Sequence, residues 1–173
     1  MPYNGFMIEA KYDIAVTFGR FNLLHIGHVD MFERMADLAH NCLIGVSSGP
    51  NNLPIDQRVA VIEKVMGTNG VVYEHFGGPY ETAKAPNPFA FFEFVNAERV
   101  VLVLGEDQVK LAEAAKRVLG WDYHLVKRLY SSTEVRALID NEEWDRLIEV
   151  VPNEILPDVA RLRGQEILSQ TVK

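Results

Sequence analysis

The chain has 173 residues, 48% of them hydrophobic and 24% charged, with a formal charge of −7 at pH 7. That length suits a single domain over 1–173 with a sizeable core, 1–11 being an N-terminal extension and 152–173 a helical tail. The acidic balance argues against a broad face for nucleic acid, and no apolar run is long enough to cross a bilayer. The N-terminus shows no basic segment followed by an apolar core, and the single cysteine, Cys42, reads as a buried thiol in a reducing cytoplasm.

Apolar runs of strand length alternate with longer stretches of helical period. DIAVTF predicts a first strand, leading through Gly19-Arg20-Phe21 into a helix from about His25 to Leu38. NCLIGVSS is a second strand. PIDQRVAVIEKVM is a helix with Pro54 near its first turn, where the missing N–H costs little. GVVYEHF is a third strand, and the glycine and proline of GGPYETAKAPNP make a loop. PFAFFEFVNAE then predicts a short helix, RVVLVLG a fourth strand, EDQVKLAEAAKRVLG a helix ending on glycine, and YHLVKRL a fifth strand. SSTEVRALID and EEWDRLIEVV follow as helices, with a last helix after Pro152.

This alternation predicts an α/β fold, a Rossmann-like three-layer sandwich with C-terminal helices. Its parallel sheet is expected to have five strands in the order 3-2-1-4-5. Such sheets bind ligands outside the carboxyl ends of their strands, where the order reverses. The first strand runs straight into Gly19, so this turn is a candidate for that crevice.

His25 and His28 straddle the start of the first helix and, three residues apart, can share a face. A helix N-terminus offers free N–H groups and partial positive charge, which suit phosphate. Gly19 permits a tight turn, and Gly27 keeps a side chain out of the ligand's way. H-x-x-H alone has little specificity, since a histidine is more often surface or satisfied core. Zinc would need ligands from His40, His75, His124 or Cys42, none at a recognised spacing, so no metal site is expected.

A second cluster lies far downstream. LYSSTEVRALI places Ser131, Ser132 and Thr133 where a helix begins, with Arg136 on its first turn and Lys127 and Arg128 just before. Ser-x-x-Glu is also a plain capping box. Hydroxyls and a guanidinium at a second helix mouth are nevertheless what a polyphosphate needs.

Together the two segments resemble the HxGH nucleotidylyltransferase superfamily, whose members join a nucleoside monophosphate from an NTP to a phosphate-bearing acceptor. The family pattern G-x-F-x-P-x-H-x-G-H is matched at Gly19, Phe21, His25, Gly27 and His28, with Leu23 or Leu24 where the proline falls. The pattern I-S-S-T-x-x-R is matched from Ser131 to Arg136, with Tyr130 replacing isoleucine. Class I aminoacyl-tRNA synthetases share the HIGH element, but this chain is too short for their added domains and has no KMSKS. Arg20 after Gly19, SSTEVR, and the Trp144, Leu147, Val151 and Pro152 of EEWDRLIEVVPNEI look most like archaeal-type nicotinamide mononucleotide (NMN) adenylyltransferases. Some members of that branch carry a fused Nudix domain, for which this length leaves no room.

The resemblance implies transfer of AMP from ATP, with Mg²⁺, to NMN, forming NAD and pyrophosphate. His25, His28 and Arg136 would be catalytic, with Arg20 beside Arg136 on the β and γ phosphates. Gly19, Phe21, Gly27, Ser131, Ser132 and Thr133 would complete the nucleotide site, with Gly105 and Asp107 bordering the nucleoside. Arg58, Tyr80, Asn87 and Phe92 would face the acceptor. That branch stacks a tryptophan on the nicotinamide, where NPFAFFEFV offers Phe89, Phe91 and Phe92 instead, a density of phenylalanine more typical of core. The rival readings are a cytidylyltransferase or phosphopantetheine adenylyltransferase, or a nucleotide-binding module without turnover. Relatives of this class often assemble, and PDVARLRGQEILSQ has enough apolar residues to dock on a second copy in a homo-oligomer.

Overall fold

The computed structural model describes residues 11–47, 53–66, 71–76 and 88–171. The expected contacts Tyr80 and Asn87 lie outside these residues. The element order is β1 (Tyr12–Gly19), α1 (Ile26–Leu38), β2 (Ala39–Ser47), α2 (Ile55–Met66), β3 (Val71–Phe76), α3 (Pro88–Phe92), β4 (Val100–Gly105), α4 (Val109–Leu119), β5 (Asp122–Val126), α5 (Ser132–Asp140), α6 (Trp144–Val150) and α7 (Leu156–Thr171). The strands pair in parallel in the order β3-β2-β1-β4-β5, so the order reverses between β1 and β4.

Side chains alternate across the sheet with the period of two that strands impose. From β4, Val101 and Val103 join one core cluster with Phe32 and Met35 of α1, Val61 and Ile62 of α2, and Leu147, Val159 and Leu162 of the C-terminal helices. Val100, Leu102 and Leu104 face the other way, with Phe91, Phe92, Ala112 and Ala115 of α3 and α4. The sheet is therefore buried on both faces, which explains why its strands read as nearly continuous apolar runs. Gly45 is required by this packing, because a Cβ there would sit 2.6 Å from the Phe91 ring.

Some boundaries differ from the predicted ones. β2 begins at Ala39, two residues earlier than its apolar run, because Ala39 pairs with Tyr12 at the start of β1. α3 stops at Phe92, where Phe94 and Val95 donate to the carbonyls three residues back and the chain tightens into a turn. The helix expected from Glu106 is a 3₁₀ turn over Glu106–Gln108 followed by α4, which Gly120 ends at φ 72°. Cys42 is buried, and burial pushes its thiol up to about 11. Among the described residues, no helix is long and apolar enough to cross a membrane.

Candidate active site

The carboxyl ends of β1, β4 and β5 open into a cavity of about 630 Å³, within the range of small-ligand sites. It lies at the switch in strand order, where α/β sheets place their ligands. Its wall contains Gly19, Arg20, Phe21, His25, Gly27 and His28 from the first turn, Gly105 and Asp107 after β4, and Ser132, Thr133 and Arg136 from α5. The two predicted segments, remote in the chain, thus share one cavity. Ser132 Oγ also donates to the Leu23 carbonyl at 3.3 Å, tying one helix mouth to the other turn. Leu23 and Leu24, standing where the resembling family has proline, are fully buried and anchor that turn in the core.

His25 caps α1. Its Nδ1 accepts from the Gly27 N–H at 3.1 Å, and His28 Nδ1 accepts from the His25 N–H at 3.3 Å, so each ring satisfies one orphan donor of the helix. The rings stack with centroids 3.8 Å apart at 25°. A Cβ at Gly27 would lie 2.9 Å from the His25 ring, so glycine is what lets that ring lie over the helix mouth. Phe21 adopts φ 49°, uncommon without glycine, and its ring packs edge-on to His28 at 5.2 Å.

Burial, reinforced by the Arg128 charge, lowers His25 to about 4. Burial, then the His25 and Arg128 charges, holds His28 well below the usual range. Both rings are neutral at physiological pH. With each Nδ1 accepting, the proton of each ring resides on Nε2, which has no partner among the described residues. The pair therefore supplies two N–H donors to the cavity without two buried charges.

These pKa shifts carry a stability prediction. An unfolded histidine titrates near 6.5 and folded His25 near 4, so between those values the unfolded state binds more protons. Stability then falls as pH drops through that window, by at most about 3 kcal/mol for this residue. His25→Asn keeps an acceptor for the cap but cannot titrate. Urea melts from pH 7 to 4 should show a smaller loss for the variant than for the natural protein; equal losses would place His25 in a less buried setting.

Cations supply the remaining character of the site. Arg20, Lys127, Arg128 and Arg136 all line the cavity, and Asp107 is the one carboxylate on its wall among the described residues. Asp107 pairs with Arg128 Nη1 at 2.7 Å, and Glu106 accepts from the Arg128 backbone N–H at 3.3 Å. Arg136 is held by Glu166 of α7 at 2.8 Å. In a chain of charge −7, this is a local concentration of positive charge.

Two expected acceptor contacts are not brought to the cavity. Arg58 is 1% exposed, and its guanidinium donates inward to backbone: Nε to the Leu53 carbonyl at 2.8 Å, and Nη1 to the carbonyls of Ser47, at 2.7 Å, and Arg20. Burial, then the Arg20 charge, lowers it to about 10. It braces the turn that carries Arg20. Phe92 is 1% exposed and packs with Phe18, Phe91 and Trp121 in the core. Ser131 is not on the cavity wall but caps α5, its Oγ accepting from the Glu134 N–H at 3.1 Å.

The wall also contains residues that sequence reasoning passed over, among them Thr17, Asn22, Ser47 and Gln108. Thr17 left a signal, a polar residue inside the apolar run DIAVTF. Asn22 and Gln108 sit in turns and Ser47 at the last position of β2, places where polar residues are ordinary.

The chain is thus an α/β protein with a doubly wound sheet that brings two helix mouths and four cations together at the strand switch, the place where such sheets hold ligands. A sequence profile described as cytidylyltransferase-like matches residues 16–158, and the chain belongs to that family, within the HxGH nucleotidylyltransferase superfamily. It is 35% identical over 69 residues to a phosphopantetheine adenylyltransferase from Stenotrophomonas maltophilia, a match covering 38% of this chain and 41% of that relative. A bifunctional NMN adenylyltransferase/ADP ribose pyrophosphatase from Francisella tularensis aligns with TM-score 0.59 at 22% identity, over 76% of this chain and 43% of its own. That protein has also been seen complexed with AMP and a manganese ion. Plasmodium falciparum nicotinic acid mononucleotide adenylyltransferase complexed with APC aligns with TM-score 0.64 at 12% identity, over 87% of this chain and 95% of its own.

Proposed function

We propose that the protein is an NMN adenylyltransferase of the archaeal type, acting in the cytoplasm as the single domain 1–173: it transfers AMP from ATP to NMN and releases pyrophosphate. The observation that carries this reading is the shared cavity where neutral His25 and His28 meet four cations, Arg20, Lys127, Arg128 and Arg136, and one carboxylate, Asp107. Neutral N–H donors and guanidinium groups suit a triphosphate better than a neutral ligand.

In this reading the phosphate of NMN attacks the α-phosphorus of ATP in line, the bond from that phosphorus to the bridging oxygen breaks, and pyrophosphate leaves. The attacking oxygen is already anionic, so no general base is needed, and catalysis consists of positioning and charge stabilisation. His25 and His28 donate from Nε2 to the triphosphate as charge builds on the bridging oxygen. Arg20 and Arg136 hold the β and γ phosphates, with Ser132 and Thr133 as local donors and Gly105 and Asp107 beside the nucleoside. Among the described residues no three His, Cys, Asp or Glu side chains cluster to hold a metal, and Asp107 is engaged by Arg128. Mg²⁺ would arrive on the nucleotide, held mainly by phosphate oxygens, and would offset part of their charge.

The Francisella neighbour's AMP and manganese ion support a nucleotide with a divalent cation at this fold. The 35% identical segment favours one rival acceptor, phosphopantetheine. Both readings use ATP. Incubating the protein with each NTP and with NMN, nicotinic acid mononucleotide, phosphopantetheine or a phosphorylated alcohol, and measuring pyrophosphate, separates them. ATP with NMN is expected to release it fastest. Release only with phosphopantetheine transfers the reading to that enzyme, and ATP binding without release from any acceptor would favour a nucleotide-sensing module.

A further inference from the structure

Arg136 does not stand free at the cavity wall. Its Nε donates to both oxygens of Glu166, at 3.0 and 3.2 Å, and its Nη2 donates to Oε2 at 2.8 Å. Glu166 lies 30 residues downstream on α7 and does not itself line the cavity. It is held in turn by Arg163, whose Nη1 donates to Oε1 at 3.3 Å, while Arg163 Nε and Nη2 grip Asp140 at 3.0 and 2.7 Å. The side chains of Glu166 and Arg163 are only 12% and 13% exposed, so this is not a loose surface pair.

A guanidinium gripped along the edge formed by Nε and Nη2 has its plane set, and only its remaining donors stay available. Arg136 Nη1 makes no bond among the described residues, and Arg136 lies on the cavity wall. Glu166 brings negative charge near a site for an anion, yet Arg163 on its other side offsets that charge. With Asp140 on the far side of Arg163, the network Arg136–Glu166–Arg163–Asp140 is neutral as a whole, so Arg136 meets the cavity as an oriented donor rather than as surplus charge.

We propose that Glu166 is a positioning residue of the polyphosphate site. It holds the Arg136 guanidinium in one plane with Nη1 left for the anion, and so makes α7 part of a site on whose wall no α7 residue lies among the described residues. The proposal rests on the reading of the cavity as a polyphosphate site.

Calorimetric titration with inorganic tripolyphosphate tests it on the full chain, using Arg136→Ala, Glu166→Gln, the double variant and Asp140→Asn. Asp140→Asn breaks the outer clamp on Arg163 but leaves the fork on Arg136. Arg136→Ala and Glu166→Gln should each weaken binding by about tenfold, the scale of one well-placed charged hydrogen bond. The double variant should be no weaker than Arg136→Ala alone, because Glu166 acts through that arginine, and Asp140→Asn should bind as the natural protein does. A purely structural loss would instead weaken Asp140→Asn too and add in the double variant. Glu166→Asp keeps the charge but withdraws it by one methylene, and should weaken binding even if the glutamine variant fails to fold. Unchanged or tighter binding by the Glu166 variants, or additivity in the double variant, overturns the positioning role and leaves the polyphosphate reading standing. Equal binding by the natural protein and Arg136→Ala overturns both.

Discussion

Replacing His28 by alanine is expected to lower turnover by about 10²–10³, or about 3–4 kcal/mol of barrier, while the protein stays folded. The ring contributes one hydrogen bond to the helix mouth, at a long 3.3 Å, an edge contact with Phe21 and a stack on His25, all within one turn of chain, so its structural share is modest. Its proposed functional share is large because the Nε2 donor is set in place before reaction by the His25 backbone, the stacked His25 ring and Phe21. A donor already oriented in a buried site costs no reorganisation when charge develops. In the ligand-free protein His25 titrates near 4 and His28 is held well below its usual range, so these rings are expected to add no step to kcat/KM between pH 6 and 8. Steady-state pyrophosphate release by natural and variant protein, with circular dichroism as the folding control, measures the effect. Turnover within threefold of the natural value would remove His28 from the chemistry.

Arg58→Met is expected to produce the largest loss of stability. Methionine is apolar and of adaptable shape, but it abandons the carbonyls of Ser47 and Leu53 in buried bonds and that of Arg20 in a part-buried one. Each unsatisfied group costs on the order of 1–3 kcal/mol, partly offset because a buried charge is no longer desolvated. A net loss of about 3 kcal/mol, or roughly ten degrees in Tm for a chain of this size, is the expected result. The turn carrying Arg20 and the left-handed Phe21 would loosen, so the variant should also require more ATP, with little change in its requirement for acceptor. The opposite outcome, an unchanged Tm with a raised KM for the acceptor, would show that Arg58 reaches a ligand rather than the backbone.

These two residues show what can and cannot be read from sequence. His28 was legible because its setting is local: a strand, a glycine turn and a helix start lie within a few residues, and their period and capping chemistry are written in consecutive positions. The sheet was legible for a similar reason, since strands buried on both faces carry unbroken runs such as Val100 to Leu104. Arg58 was not, because its partners are backbone carbonyls as much as 38 positions away, and carbonyls have no identity in a sequence. An arginine on a helix reads as solvated until the loops that fold over it are known. Glu166 was invisible in the same way, its meaning depending on how α7 lies against α5. Phe92 was ambiguous for a different reason: an aromatic ring serves a core and a stacking site equally well, and only the packing of α3 on Phe18 and Trp121 decides between them.

The central claim is that the turn ending at His28 and the helix mouth bearing Arg136 grip one polyphosphate. A crystal structure of the protein with Mg²⁺ and a non-hydrolysable ATP analogue tests it most directly. The account predicts a single triphosphate within hydrogen-bond distance of Nε2 of His25 or His28 and of the Arg136 guanidinium at once. A triphosphate that touches only one of the two segments, or that binds outside the shared cavity, would contradict it.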